Sequence, residues 1–251
     1  MGRYINLPTL DVDFLKPAKM SFDTKGGGLE GGRNGLGESV TIETSGGGVL
    51  VGSYEGCVVK DREQHEYINW IAARMNSSVR FMNVPILSDW MGPFPTTKGI
   101  PRPIIKGIPH SDTSLFSDGA GYSQGTVFGT MSANAALNAG QITLNIYGAD
   151  RNLRWSDWFS IYHPTKGWRA YRYWDSSDPV PVTERVEGVA VTGSQYLLSL
   201  DKPLREAVQA GTRIEFVRPR CVMKFPATFS LAWEAEGWWQ SSPTLQFVEG
   251  F

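Results

Sequence analysis

A serine nucleophile is the first chemistry that the sequence offers. Residues 121–125 read Gly-Tyr-Ser-Gln-Gly and match the G-x-S-x-G pattern, in which a sharp strand-to-helix turn exposes the serine hydroxyl above a sheet. Asp157 and His163 follow Ser123 in the order serine, acid, histidine. The residues after the motif, however, begin like a strand, and no alternation of strands and helices surrounds it. The sequence therefore favours a glycine-rich turn before a strand, with a serine hydrolase that uses Ser123 as an alternative.

A glycine-rich stretch at residues 24–37, TKGGGLEGGRNGLG, could suggest a phosphate-binding loop. It lacks the Gly-Lys-Ser/Thr ending of a P-loop, and it does not stand between a strand and a helix as a dinucleotide fingerprint does. We expect a mobile loop instead. Gly26, Gly27 and Gly28 in this loop are candidate subunit-interface residues, because a flexible segment can become ordered against a neighbouring subunit.

Metal binding and acid–base catalysis have few candidates. None of the three histidines stands at ligand spacing from another histidine or a cysteine. Asp175, Asp178 and Glu184 could be glycosidase carboxylates or calcium ligands, but glycoside hydrolysis needs two carboxyl groups that converge across a cleft. We interpret this segment as a solvated hairpin loop. The sequence therefore predicts no catalytic residue, no metal site and no cofactor.

Tryptophans are concentrated in two parts of the sequence, 155–174 and 233–239. Most are expected to pack in the core, although exposed tryptophans also suit sugar binding and protein interfaces. A carbohydrate-binding β module that uses Trp168 and Trp174 as sugar platforms is therefore an alternative. Adjacent strand residues point to opposite faces of a sheet, so Trp238 and Trp239 are both buried only where both faces are covered. This pair is a candidate subunit interface.

Composition excludes several classes of protein. The 251 residues carry a net charge of −1, which argues against a direct nucleic-acid grip based on excess positive charge. Two cysteines are too few for a disulfide framework. The N-terminal residues lack a signal-peptide pattern, and no run approaches the roughly 18 apolar residues of a membrane span. We expect a soluble protein, made in the cytoplasm, without a membrane span.

Periodicity predicts a mainly β fold. Apolar residues alternate in five short runs, as expected of half-buried strands. These runs lie at 39–44, 79–86, 141–147, 186–192 and 213–217. One amphipathic helix is predicted at 61–76, where Asp61 and Gln64 form a capping box, and a second short helix is predicted at 203–209 before Gly211.

The elements suggest two β domains. We expect residues 1–110 and 222–251 to form an N-terminal β-sandwich with one α-helix, completed by the C-terminal strands. Residues 111–221 would then form an inserted, smaller β-barrel or sandwich. In the last residues, Leu245, Phe247, Val248 and Phe251 alternate around Gln246 and Glu249, so this segment is predicted to form a strand held in a sheet. Phe251 is a further candidate interface residue.

The second half of the chain carries a family resemblance. The segments WFSI (158–161), GWRAYRY (167–173), VEGVAV (186–191) and PLREAVQAGTRIEFVRPRCVM (203–223) resemble a module of tailed-phage tail proteins. The ending TLQFVEGF is similar to the closing strand of the same proteins. The strand-rich opening, the helix and FMNVPI at 81–86 are similar to the N-terminal sandwich of siphophage distal tail proteins.

The resemblance implies a structural role in the virion. Distal tail proteins form a ring, typically of six identical subunits, at the end of the tail tube. They join the tube protein to the tail-tip hub or baseplate, and in some of them an inserted domain supports receptor-binding proteins. The resemblance therefore implies a non-enzymatic tail protein that assembles in the host bacterial cytoplasm. Its partners would be further copies of itself, the tube protein and the hub proteins.

Overall fold

The protein is described by a computed structural model at residues 4–43, 46–75, 78–86, 127–149, 151–186, 189–231 and 241–251, at residue 117 and at four short strands between 96 and 123. The helices are α1 (Val12–Leu15) and α2 (Arg62–Met75). The strands are β1 (Lys19–Lys25), β2 (Gly28–Arg33), β3 (Ser39–Glu43), β4 (Val49–Glu55), β5 (Met82–Pro85), β6 (Thr96–Thr97), β7 (Ile100–Pro101), β8 (Lys106–Ile108), β9 (Tyr122–Ser123), β10 (Phe128–Met131), β11 (Gln141–Tyr147), β12 (Phe159–His163), β13 (Gly167–Tyr171), β14 (Tyr173–Ser176), β15 (Val180–Val186), β16 (Val189–Leu200), β17 (Arg213–Glu215), β18 (Arg220–Lys224) and β19 (Leu245–Glu249). The prediction of a mainly β fold is confirmed.

The chain divides into two compact units. Unit 1 comprises residues 1–85, 164–169 and 220–251, and unit 2 comprises residues 86–163 and 170–219. The first segment of unit 1 ends at residue 85, whereas the predicted domains 1–110, 111–221 and 222–251 place this boundary at residue 110. The short segment 164–169 also belongs to unit 1, while the chain on either side of it belongs to unit 2.

Unit 1 contains a five-stranded antiparallel sheet in the order β1-β4-β19-β18-β5. The C-terminal strand β19 pairs with β4 on one side and with β18 on the other, so it lies in the middle of the sheet. Leu245 and Phe247 are buried and Gln246 is exposed, as the alternating sequence predicts. The prediction that the C-terminal strands complete the N-terminal sheet is therefore confirmed.

Helix α2 begins and ends close to its predicted bounds. The side-chain oxygen of Gln64 accepts hydrogen bonds from the backbone N–H groups of Lys60 (2.8 Å) and Asp61 (3.3 Å), which satisfies donors that a helix start leaves free. Ile68 and Ile71 are buried on the predicted apolar face. The predicted amphipathic helix is thus confirmed.

Helix α2 contacts the short helix α1 through an aromatic pair. The Tyr67 hydroxyl accepts a hydrogen bond of 2.7 Å from the Asp11 backbone N–H. The Tyr67 and Phe14 rings meet edge to face at 5.6 Å between centroids. The Gln64 amide also donates to the Phe14 carbonyl at 3.2 Å. These contacts fix the chain that leads into β1 against α2.

Unit 2 is built on an antiparallel sheet in the order β13-β12-β17-β10-β11-β16-β14, with β15 also paired to β16. Residues 167–169 of β13 are assigned to unit 1. Ile142, Leu144 and Ile146 of β11 are buried in its core, in agreement with their predicted period of two. Phe159 and Phe216 pack beside them, with 5.6 Å between the ring centroids. The core of unit 2 is therefore a mixed aliphatic and aromatic cluster.

The predicted helix at 203–209 is wrong. Leu204 donates its backbone N–H to the Ala139 carbonyl and accepts from Asn138. Val208 forms an antiparallel bridge with Ala135. The backbone of this segment thus bonds to residues 135–139 and not to itself. Leu204 and Val208 are both buried. Their spacing of four would also fit one face of a helix, but here it reflects two separate contacts with the core.

A fully buried ion pair holds the C-terminal strand in unit 1. Arg169 and Glu249 have side-chain exposures of 0%, and their nearest charged atoms are 3.4 Å apart. Arg169 also donates to the Gly250 carbonyl at 2.8 Å. The second oxygen of Glu249 accepts from the Leu50 backbone N–H at 3.1 Å. Both charges therefore keep hydrogen-bond partners after they leave water, as a buried ion pair requires.

Both cysteines are free thiols in the interior. Cys57 and Cys221 are buried and form no disulfide. Burial raises the pKa of the Cys57 thiol from 9.0 to about 11 because a thiolate is poorly solvated there. Only the thiolate reacts with thiol reagents, so the folded protein should present two inert cysteines.

We expect the loss of one partner from the buried ion pair to destabilise the protein far more than the loss of one partner from an exposed ion pair. We expect Glu249→Gln to lower the free energy of unfolding by about 3–5 kcal/mol, because it leaves the Arg169 charge buried and unpaired. The matched control is Glu66→Gln, which removes the exposed pair with Arg62 and should cost less than about 0.5 kcal/mol. Urea denaturation of the two variants measures both values, and equal losses would contradict the prediction.

We expect both cysteines to react slowly with thiol reagents in the native protein. At pH 8 we expect a chromogenic disulfide reagent to titrate both thiols rapidly in urea and neither thiol rapidly in the folded protein. The raised pKa also implies that the stability contributed by neutral Cys57 is present below pH 9.0 and is lost as the pH rises toward 11. Rapid labelling of Cys57 in the native protein would overturn its assignment as a buried, protonated thiol.

Candidate functional site

The glycine-rich segment forms a β ribbon, so the prediction of a mobile loop is wrong. Strand β2 pairs antiparallel with β3, with Gly28 opposite Glu43 and Leu29 opposite Ile42. Strand β1 leads into β2, and β3 leads into β4. The ribbon β2–β3 is thus the far part of a long hairpin whose near part, β1–β4, belongs to the sheet of unit 1.

The turn of the ribbon is closed by one asparagine. The Asn34 side-chain oxygen accepts from the backbone N–H groups of Leu36 (3.0 Å) and Glu38 (2.9 Å), and its amide donates to the Glu38 carboxylate at 2.8 Å. Gly37 has a φ of +81°, a conformation that favours glycine. Asn-Gly and a nearby glycine are turn signals in sequence, and they were the available clue to this hairpin.

The ribbon exposes apolar side chains to an unusual degree. Leu29 is 62% exposed and Ile42 is 57% exposed, and they stand directly opposite each other, so both side chains lie on one face of the ribbon. Leu36 at the turn is also exposed. An isolated two-stranded ribbon is marginally stable in water, and clustered exposed apolar groups mark interaction surfaces. The ribbon is therefore the best candidate for a contact surface.

The predicted interface glycines lie at the base of this ribbon. Gly26 and Gly28 are exposed and Gly27 is half-buried. Gly28 approaches its partner strand closely, since an added Cβ would lie 3.1 Å from the Thr41 methyl group. These glycines shape the ribbon, while its apolar contact surface comes from Leu29 and Ile42, which the sequence interpretation missed.

The other predicted interface residues have different outcomes. Phe251 is half-exposed, and its ring centroid lies 5.2 Å from the Arg169 guanidinium, so it packs on the buried ion pair. Trp238 and Trp239 lie outside the described residues. Their role as an interface stays a prediction.

Asp157 and His163, the acid and the histidine of the alternative hydrolase, bond to Arg151 and Tyr171 in the structure. Asp157 is fully buried and accepts from both terminal nitrogens of Arg151, at 2.9 and 2.7 Å. His163 is hydrogen-bonded to the Tyr171 hydroxyl at 2.9 Å. Ser123 lies in strand β9, which pairs with β8, and its side chain is not among those described. The described contacts thus explain Asp157 and His163 as parts of the fold of unit 2.

The three predicted acidic residues lie in two strands and in the connection between them, which contains Asp178. Asp175 lies in β14, where it accepts from the Ser176 backbone N–H. Glu184 lies in β15 and accepts a hydrogen bond from the Tyr147 hydroxyl. Burial, followed by this hydrogen bond to Glu184, raises the pKa of Tyr147. Within the described ranges, no group of three or more histidine, cysteine or acidic residues is placed to hold a metal ion.

Trp168 and Trp174, the candidate sugar platforms, differ from each other in their surroundings. The Arg220 guanidinium lies 4.4 Å from the ring centroid of Trp168 and covers one of its faces. Trp174 is 66% exposed, and its indole N–H donates to the Leu200 carbonyl at 3.1 Å. Trp174 alone of this pair keeps most of its ring in solvent.

Comparison with known proteins adds no relative. No model of a known protein family matches the chain, and a search of curated proteins finds no match. Neither α1 nor α2, the helices of the described residues, is long and apolar enough to cross a membrane. The resemblance to siphophage distal tail proteins therefore stays a prediction, and the exposed ribbon is the feature on which a function can be argued.

Proposed function

We propose that this chain is a structural protein of a long-tailed phage, and that its copies form a ring at the distal end of the tail tube. The ring joins the tube protein to the tail-tip hub or baseplate, and it assembles in the host bacterial cytoplasm. The sequence resemblance supports this role. The ribbon β2–β3 is the structural observation that carries the proposal, because it offers an apolar contact outside the sheet of unit 1.

A ring requires two different surfaces on each subunit, because a head-to-tail contact joins unlike patches. The ribbon is one such surface. A second is the outer face of the unit 1 sheet, where an open cavity of about 740 Å³ is lined by residues of β1, β4 and β19. Ser21 and Asp23 stand on this face beside Val51 and Val248, so it is partly polar and partly apolar.

Strand β1 forms one edge of the same sheet. At the opposite edge, Asn83 of β5 exchanges backbone hydrogen bonds with Pro8 and Leu10. Among the described residues, β4 is the strand that pairs with β1. Edge strands are places where a second chain can add a strand to a sheet. We expect the ribbon of one copy to meet this edge and the adjoining outer face of the next copy.

The mass of the purified protein tests the assembly. We expect size exclusion with light scattering to give a mass near six times 27.8 kDa, and negative-stain images to show closed rings. A second measurement tests the place of the ring, because labelled antibody against this chain should decorate the distal end of the tail tube in purified particles. A monomer at all concentrations would contradict the ring.

The ribbon predicts which substitutions prevent assembly. We expect Ile42→Glu to convert rings into folded monomers, because a carboxylate at this contact would be buried without a partner. The matched control is Leu137→Glu in unit 2, since Leu137 is equally exposed at 57%. Both variants should keep the wild-type circular dichroism. Rings that survive Ile42→Glu, or that are lost equally in Leu137→Glu, would rule out the ribbon as the subunit contact.

The hydrolase alternative has a direct chemical test. A fluorophosphonate probe reacts with serine hydroxyls that are activated by a neighbouring base. We expect no labelling of this protein, because Asp157 and His163 are engaged with Arg151 and Tyr171. Labelling of the wild type that disappears in Ser123→Ala would establish a hydrolase instead.

A further inference from the structure

A small polar cavity lies at one end of the β11–β16 strand pair in unit 2. Its volume is about 190 Å³, roughly the space of six water molecules in the liquid. Thr192, Ser194 and Tyr196 of β16 line one side, and Arg151 and Asn152 line another. The cavity therefore presents mainly hydroxyl, amide and guanidinium groups, which are suited to a ligand rich in hydrogen-bonding groups.

The loop beside the cavity is held rigidly by Asp157. This buried carboxylate accepts from both terminal nitrogens of Arg151 and from the Arg154 backbone N–H at 2.8 Å. The Asp157 backbone N–H donates to the Arg154 carbonyl at 2.8 Å, which closes a β-turn with Trp155 at its second position. Arg151 also donates to the Asn152 carbonyl at 2.7 Å. The loop geometry is thus preorganised by its own hydrogen bonds.

This rigid turn displays a tryptophan. Trp155 is 73% exposed, although its indole ring is among the most costly side chains to leave in water. It is three residues from Asn152, so the two Cα atoms lie within roughly 11 Å of each other. A ligand in the cavity can therefore extend along the loop and stack on Trp155.

The charge of the site distinguishes between classes of ligand. The guanidinium of Arg151 is neutralised by its two-point ion pair with Asp157, so the cavity has little net attraction for a phosphate or a carboxylate. The Ser194 hydroxyl is hydrogen-bonded to Tyr196, and the Tyr196 hydroxyl donates to the Asn152 side-chain oxygen at 3.3 Å. A purely apolar ligand would gain no hydrogen bond from this hydroxyl and amide lining. A neutral, polyhydroxylated ring satisfies both conditions, and its C–H face can pack on an indole.

We propose that the cavity and Trp155 together form a binding site for a neutral saccharide. One sugar ring occupies the cavity and hydrogen-bonds to Asn152 and Ser194, and an adjoining ring packs on Trp155. This site differs from the pair of tryptophans considered from sequence. It lies within unit 2 and does not depend on ring assembly, so either proposal can fail without the other.

Ligand-observed NMR with the purified full chain tests the site. The probes are a panel of neutral mono- and disaccharides of the kinds found on bacterial surfaces, together with acidic saccharides of matched size. We expect at least one neutral saccharide to bind. Trp155→Ala should weaken that binding by at least about tenfold, as the loss of a stacking aromatic anchor does, and Ser194→Ala should weaken it as well.

Trp174→Ala is the matched control, because Trp174 is also exposed in unit 2 but lies on strand β14, away in sequence from the loop that carries Trp155. Its saccharide affinity should stay within about twofold of the wild type, and the melting temperatures of all variants should agree. The proposal is overturned if no neutral saccharide binds, if only acidic saccharides bind, or if Trp174→Ala loses as much affinity as Trp155→Ala.

Discussion

The buried pair of Arg169 and Glu249 is the constraint on which unit 1 depends. Each charge has left water completely, and additional hydrogen bonds are needed to offset that loss of hydration. Leu50 and Gly250 supply backbone partners, although the second terminal nitrogen of Arg169 is buried without a hydrogen bond in the described part of the chain. The ring of Tyr4 lies 5.5 Å from the guanidinium. Residues from four separate parts of the chain must therefore be in place together, so this site favours cooperative folding of unit 1.

The two proposed functional surfaces share a physical design. In each surface, a polar side chain holds a backbone turn in place by hydrogen bonds, and apolar or aromatic side chains nearby are exposed to solvent. Asn34 closes the turn of the ribbon, and Asp157 closes the turn that carries Trp155. Preorganised contacts lose less conformational freedom on binding. The ribbon would serve assembly, and the Trp155 loop would serve recognition of a cell-surface saccharide.

Local patterns were sufficient to predict some elements. Helix α2 could be predicted because Asp61 and Gln64 mark its start and its apolar residues repeat at helical spacing. Strand β11 could be predicted because its apolar residues Ile142, Leu144 and Ile146 recur at every second position. The segment 203–209 could not, since Leu204 and Val208 are buried by residues 135–139 and a spacing of four fits both a helix and this arrangement. Composition likewise suggested a mobile loop where Asn34 closes a hairpin.

The sequence by itself determined the mainly β class, the amphipathic helix and the alternation of the final strand, because these depend on contacts between near neighbours in the chain. Only the tertiary structure decided that β19 lies between β4 and β18, that Arg169 meets Glu249 across 80 positions, and that residues 192–196 meet residues 146–152 around a polar cavity. Such pairings depend on which distant segments meet. Periodicity contains no information about that choice, since many registers and partners would bury the same apolar faces equally well.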